Sequence, residues 1–284
     1  MSKAFFELLS PQRLTEIVDI GASPIDGAPP YAPMLAAGIC NVTGFEPQQD
    51  ALLELQRTKG PNEQYLPYAV GDGGTHVLNV CFAPGMTSLL EPDPAPLNVL
   101  EVLKPWGEVL RRVPVETRRL DDIAEIGRVD FLKIDVQGSE LPVFRGGAAR
   151  LSQAVAVQTE VSFVTLYKDE PVFGEVDLEL RRQGFVPHCF AAVKKCPIAP
   201  CIVNNDPRMA LNQLLEADIV YVRDFFHPES MSDEQLKHLA LIVHHCYGSF
   251  DLALRCVMLL EQRGVLEAGA QNRYLLSMSG SRVS

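Results

Sequence analysis

Five short runs of this 284-residue chain close on acids: DIGAS at 19–23, FEP at 45–47, VGD at 70–72, KIDVQGSE at 133–140 and QTEVS at 158–162. Each run follows apolar, β-branched residues of the kind that form buried strands. In an open parallel sheet, ligands sit at the carboxyl ends of the strands, beside the switch in strand order. A rim of carboxylates there suits a ligand rich in hydroxyls and amines and repels phosphate. Asp135 ends the fourth strand of the main series, and Lys133, two residues back, points to the same side. Glu160 ends the fifth strand. A carboxylate in this position can remove a proton from a weakly acidic hydroxyl. The expectation is that Asp135 and Glu160 contact an acceptor hydroxyl or its partner groups, with Lys133 holding the carboxylate ionised. Glu140, which opens the following helix, is either part of this set or a first-turn acid favoured by the helix dipole. Glu46, at the tip of the second strand, is placed to accept hydrogen bonds from both hydroxyls of a ribose, or else caps the next helix. The first loop has Gly21 but no further glycines in a dinucleotide pattern, since Ser23 and Ile25 fill those positions. A nicotinamide oxidoreductase is therefore disfavoured. His188, near the sixth strand's tip, reads as a structural imidazole.

The elements that must position these residues alternate as parallel βαβ units. Strands are expected at Glu16–Ile20, Asn41–Phe45, Gln64–Val70, Val129–Ile134, Ala154–Thr159, Phe185–Ala191 and Asp218–Arg223. The last suits an antiparallel strand, because prolines and polar residues fill 197–207 where a crossover helix would be needed. Helices are expected at Tyr31–Ala37, Asp50–Arg57, Leu141–Leu151 and Phe173–Gln183. His76–Phe82 and Val113–Arg118 are further strands, with an inserted loop and a short helix between them. After His227 comes a helical hairpin: Ser232–Cys246, opened by the capping box Ser232/Gln235, and Ser249–Arg263, stopped by Gly264. The expected organisation is a domain at 1–226 followed by a helical extension at 227–284. The hairpin's apolar stripes are expected on its own domain or, alternatively, in a homodimer contact.

The net charge of −11 excludes a protein whose affinity rests on nucleic-acid phosphates. No apolar run approaches the ~18 residues of a membrane span, and MSKAFFELLSPQR lacks the features of a secretory signal. Seven cysteines without a CxxC pair fit a reducing compartment and argue against structural zinc. A cytoplasmic protein is expected.

VDIGAS, GFEP, LPYAVGD and above all DFLKIDVQGSELPVFRGG (130–147) resemble the FkbM family of S-adenosylmethionine-dependent O-methyltransferases. The resemblance implies a class I methyltransferase-like (Rossmann-like) α/β fold, a seven-stranded mostly parallel sheet with helices on both faces. It also implies methyl transfer to a hydroxyl of a small molecule, sugar or glycan, with S-adenosyl-L-homocysteine as product. By position, Asp19 and Gly21, with Ala22 and Ser23 beside them, would line the methionine part of the cofactor. Glu46 and Pro47 would lie at the ribose, Gly71 and Asp72 at the adenine edge, and Asp135 beside the cofactor. The family usually has Glu where this chain has Gln137, and the PIDGAPPY loop interrupts its usual glycine-helix start. Metal-free catalysis is expected, with Mg²⁺ on Asp135, Glu160 and Glu140 as the rival way to acidify a hydroxyl. The non-enzymatic alternative is a nucleoside-binding or interaction module on the same fold.

Overall fold

The computed structural model describes residues 2–23 and 27–279. In chain order the elements are α1 (Ser2–Leu9), β1 (Thr15–Ile20), α2 (Ala32–Ala36), β2 (Cys40–Phe45), α3 (Gln49–Thr58), β3 (Glu63–Leu66), β4 (Ala69–Val70), β5 (Thr75–Cys81), α4 (Pro94–Val99), β6 (Val109–Arg118) and β7 (Phe131–Ile134). There follow α5 (Glu140–Gly146), α6 (Ala148–Leu151), β8 (Ala156–Ser162), α7 (Phe173–Arg182), β9 (Phe185–Lys195), β10 (Leu214–Arg223), α8 (Asp233–Tyr247), α9 (Phe250–Gln262) and α10 (Ala270–Ser279). The main sheet has seven strands in the order β3-β2-β1-β7-β8-β10-β9, and β10 alone runs antiparallel to its neighbours. The order reverses between β1 and β7, so the switch point lies where Asp19 and Asp135 end their strands.

Strand periodicity divides the sheet into two faces. Val18, Ile20, Leu132, Ile134, Val157 and Ile219 pack on one side with α5, α6 and α7. On the other, Val42, Ile17, Phe131, Ala156 and Val222 lie in register as an apolar row under the terminal helices. Two residues further along, the same face becomes polar: Gly44, Asp19, Lys133 and Gln158 form the next row. The core therefore ends where the site begins.

Three expectations are corrected. The strand placed at 64–70 breaks at Pro67, which has no N–H to give a ladder; β4 leaves the main sheet and pairs with β6 in a second, three-stranded sheet, β4-β6-β5. The helix placed at 141–151 divides at Gly146–Gly147, where a side chain on Gly147 would crowd Leu120. Finally, α8 carries more than one stripe. Leu236, Leu239, Ala240, Leu241, Ile242 and Val243 are all fully buried, because the sheet lies on one side of α8 and α9 on the other. The segment after 227 thus shares a core with the sheet, and the apolar stripes of α8 and α9 are covered within the chain.

Candidate active site

Gly21 fixes the first wall of the site. Its φ of +79° favours glycine, and a Cβ there would collide with the carbonyl oxygen of Asp135. The close approach of the loops after β1 and β7 therefore depends on this residue. Asp19, just before it, is 2% exposed. Its Oδ2 accepts a 2.6 Å hydrogen bond from the Tyr31 hydroxyl at the start of α2. Its Oδ1 lies 3.3 Å from Lys133 Nζ but receives no well-aligned hydrogen bond. Burial raises the Asp19 pKa, and Lys133 and Tyr31 only partly oppose this. Lys133 Nζ also donates to the Gly21 carbonyl at 3.2 Å. Its ammonium is opposed by burial, but Asp19 and Asp135 outweigh that and raise its pKa. Lys133 is therefore chiefly the counter-ion of Asp19, a correction to its expected pairing with Asp135: the two residues share a register position across β1 and β7.

The turn after β7 is held by four hydrogen bonds to three residues. The Asp135 amide donates to the Ile20 carbonyl at 3.0 Å. Gln137 has φ +54° and Gly138 φ +91°. The amides of Val136 and Gly138 donate to Glu140 Oε1 at 2.9 and 3.3 Å, and the Ser88 hydroxyl, from the insert, donates to the Gln137 carbonyl at 2.6 Å. Glu140, 5% exposed, thus holds the turn that carries Asp135. Burial pushes its carboxyl up to about 8.

In this turn the Gln137 carboxamide lies between two acids. Its Nε2 donates to Asp135 Oδ1 at 2.7 Å and to Glu160 Oε2 at 2.8 Å, and its Oε1 lies 3.3 Å from the Tyr167 hydroxyl. The amide joins carboxylates that would otherwise repel. Glu160 remains well above the ordinary carboxylate range, through burial first and then the charges of Asp135 and Glu216. Lys194 tempers this from 3.6 Å while pairing with Glu216 at 2.8 Å. Gln158, in the polar row, accepts a 2.9 Å hydrogen bond from the hydroxyl of Tyr247, the last residue of α8.

These groups border a cleft of about 870 Å³. Asp19, Gly21, Ala22, Ser23, Glu46, Pro47, Lys133 and Asp135 line it, with Phe45 and Tyr68. Glu46 is 4% exposed, accepts the Gln48 amide at 2.8 Å, and has its pKa raised by burial. Both of its expected readings thus have geometry behind them. Gly71 and Asp72 are not brought into this lining: once the chain has left the main sheet, the Asp72 carboxylate engages Gly74, His76 and Thr117 at the second sheet, and Tyr68, Ala69 and Val70 face the cleft instead. Glu140 and Glu160 stand behind the lining. Of the PIDGAPPY loop, residues 24–26 lie outside the described residues. His188 bonds Ser249 at 2.7 Å, a structural contact. Sequence reasoning passed over Tyr31, Gln158, Lys194 and Asp218, all bound to the polar face or the cleft. Strand parity marked Gln158 and Asp218; nothing in the local sequence marked Tyr31.

A comparison with curated proteins finds no match. Among solved structures, the chain is similar to magnesium protoporphyrin IX methyltransferase from Synechocystis PCC 6803 with bound S-adenosylmethionine, at 9% identity over 78% of this chain and 79% of that one, with a TM-score of 0.39. It is also similar to a TehB-like S-adenosylmethionine-dependent methyltransferase from Corynebacterium glutamicum (10% identity, 78% and 87% coverage, TM-score 0.37). A putative methyltransferase from Thermoplasma acidophilum gives 10% identity, 79% and 76% coverage and a TM-score of 0.37. The methyltransferase FkbM domain matches residues 19–187, more than half of the chain and the stretch from the first strand-tip acid to β9. The chain belongs to the FkbM family of S-adenosylmethionine-dependent methyltransferases.

Proposed function

We propose that this protein methylates a hydroxyl oxygen, and that Asp135 takes the hydroxyl proton. The observation that carries the reading is the placement of Asp135: it lines the cleft beside the Gly21 turn, with one carboxylate oxygen fixed by the Gln137 amide. The residues present fit S-adenosylmethionine. Gly21 lines the cleft where the β1 and β7 loops meet, Asp19 has a buried oxygen without an aligned donor, and Glu46 is a nearly buried acid on the same wall. Asp19, Gly21, Ala22 and Ser23 would hold its methionine part, and Glu46 with Pro47 its ribose. Bound there, the cofactor supplies a methyl group activated by a sulfonium. Asp135 orients the acceptor and removes its proton, while Gln137, itself held by Glu160, fixes the Asp135 carboxylate and Lys133 offsets the charge of Asp19. The insert, tied to the β7 turn through the Ser88 hydroxyl, walls the cleft on the acceptor side.

The test is mass spectrometry of hydroxyl compounds incubated with the protein and labelled cofactor, followed by mild alkali. An alkali-stable methyl ether supports the reading; label lost to alkali as an ester, or found on nitrogen, would reject it. The Gln137 amide occupies the space between Asp135 and Glu160, and among the described residues no three acids, histidines or cysteines are grouped as metal ligands. Full turnover in EDTA is expected; loss restored by Mg²⁺ would give the acidifying role to a metal.

A further inference from the structure

The cleft has a second half that the cofactor residues do not account for. It is walled by the insert between β4 and β7, by the segment after β8 and by the β9–β10 loop. These pieces share a small core of their own, with Met86, Leu97, Leu100 and Leu103 against Leu166, Tyr167 and Leu215. Met86, Leu103, Leu166 and Leu215 turn part of that core toward the cleft, joined by Val102 and Trp106. Trp106 is the single tryptophan of the chain and is 40% exposed. It is held in place: its amide donates to Leu103 at 2.9 Å, and its carbonyl accepts the Ala83 amide at 3.1 Å. Both hydroxyl oxygens on this wall accept a backbone amide, and one of the two hydroxyls also donates. Thr87 Oγ accepts the Cys81 amide at 3.2 Å, and Ser88 Oγ donates to Gln137 and accepts the Leu90 amide at 3.0 Å. The polar side chains that line this space are Asp135 and Gln137 in the β7 turn, Gln158, Lys194, Lys195, Glu216 and Asp218 on the strands, and Arg208 in the β9–β10 loop; the face made by Trp106 and the aliphatic side chains beside it carries none of them.

Resting on the methyl-transfer reading above, we propose that the acceptor is an alcohol or phenol carried on an apolar ring system. The rings lie against Trp106 and its aliphatic neighbours, and the reacting hydroxyl reaches the strand tips. A free sugar has hydroxyls around its whole ring. Against this wall several of them would lose water and find no partner. An apolar ring loses nothing there and gains the indole face.

Binding to the full chain of 2-naphthol, decahydro-2-naphthol and methyl β-glucoside tests this by calorimetry or ligand-observed NMR, with and without adenosylhomocysteine. At least one ring alcohol is expected to bind about tenfold or more tighter than the glucoside. Trp106→Ala should weaken that binding about tenfold, Trp106→Phe should keep most of it, and adenosylhomocysteine affinity should be unchanged in both. Val102→Asp, which places a charge on the wall, should weaken it as well and covers the case in which the alanine variant is poorly folded. Equal or tighter glucoside binding, no binding of either ring alcohol, or wild-type affinity in the folded Trp106→Ala and Val102→Asp variants would overturn the proposal. Failure of adenosylhomocysteine to bind the wild-type chain would instead count against the cofactor reading, because the preference for ring over sugar is also measured without nucleoside.

Discussion

At the scale of single residues, the strand-tip acids have different environments and so different duties. Asp135 faces the cleft with one oxygen fixed by Gln137. Asp135→Asn should leave cofactor affinity near normal and lower turnover by ~10² or more, the usual worth of general-base assistance; undiminished turnover in a folded variant would remove it from the chemistry. Glu46→Ala should do the reverse, losing about tenfold or more in cofactor affinity by calorimetry with the fold intact. Glu140 is a matter of stability. Its pKa stands at about 8 against an ordinary 4.5, because burial disfavours the charge. The native state therefore holds this proton where the unfolded chain has lost it, and the contribution of Glu140 to stability falls as pH rises from about 5 to about 8. Glu140→Gln keeps an acceptor for the Val136 and Gly138 amides without the buried charge. Its melting temperature should match the wild type near pH 5 and exceed it by several degrees near pH 8.5, since 1 kcal/mol is worth about 2–4 °C in a domain of this size. A constant difference across that range would assign the high pKa elsewhere.

Among the elements, one side chain joins the ends of α6 and α7 to the segment before β8 and to β9. Arg223, 8% exposed at the end of β10, donates to the carbonyls of Leu151, Ala154 and Gln183 and lies over the Phe185 ring at 4.0 Å. Burial lowers its pKa to about 10, so the guanidinium keeps its charge near neutrality. Arg223→Leu would leave the Ala154 and Gln183 carbonyls without the guanidinium donors, at a cost of about 2 kcal/mol or more. The urea midpoint should fall accordingly at unchanged slope, with cofactor affinity unaltered, since the junction lies at the opposite end of the strands from the site. Arg223→Lys should recover little, because a single ammonium cannot reproduce the fork.

Over the whole molecule, the segment after 227 covers the sheet. With α8 buried on both sides and Tyr247 bonded to Gln158, this segment completes the core and reaches the polar row. A chain ending after Pro228 would expose the apolar row of Ile17, Phe131, Ala156 and Val222. It should aggregate or remain unfolded in size-exclusion chromatography with light scattering. A soluble, cofactor-binding product of that truncation would show that α8 is dispensable to the catalytic fold. A homodimer remains a proposal for the full chain; the stripes of the hairpin are already spent internally, so it would need another surface.

What the sequence by itself determined were most of the strands and the acids at their tips. Period-two patterning and acid-closed runs depend on neighbours a few residues apart, so Asp19, Glu46, Asp135 and Glu160 were legible, as were the antiparallel β10 and the resemblance carried by KIDVQGSE. Tertiary structure decided everything that joins distant segments. Cross-strand register, not chain proximity, gave Lys133 to Asp19. A positive-φ turn swung Gln137 between two acids, and pairing of β4 with β6 carried Asp72 away from the cleft. The apolar wall around Trp106 and the packing of α8 on the sheet arise from surfaces meeting across dozens to more than a hundred residues, where no local pattern records which surface meets which.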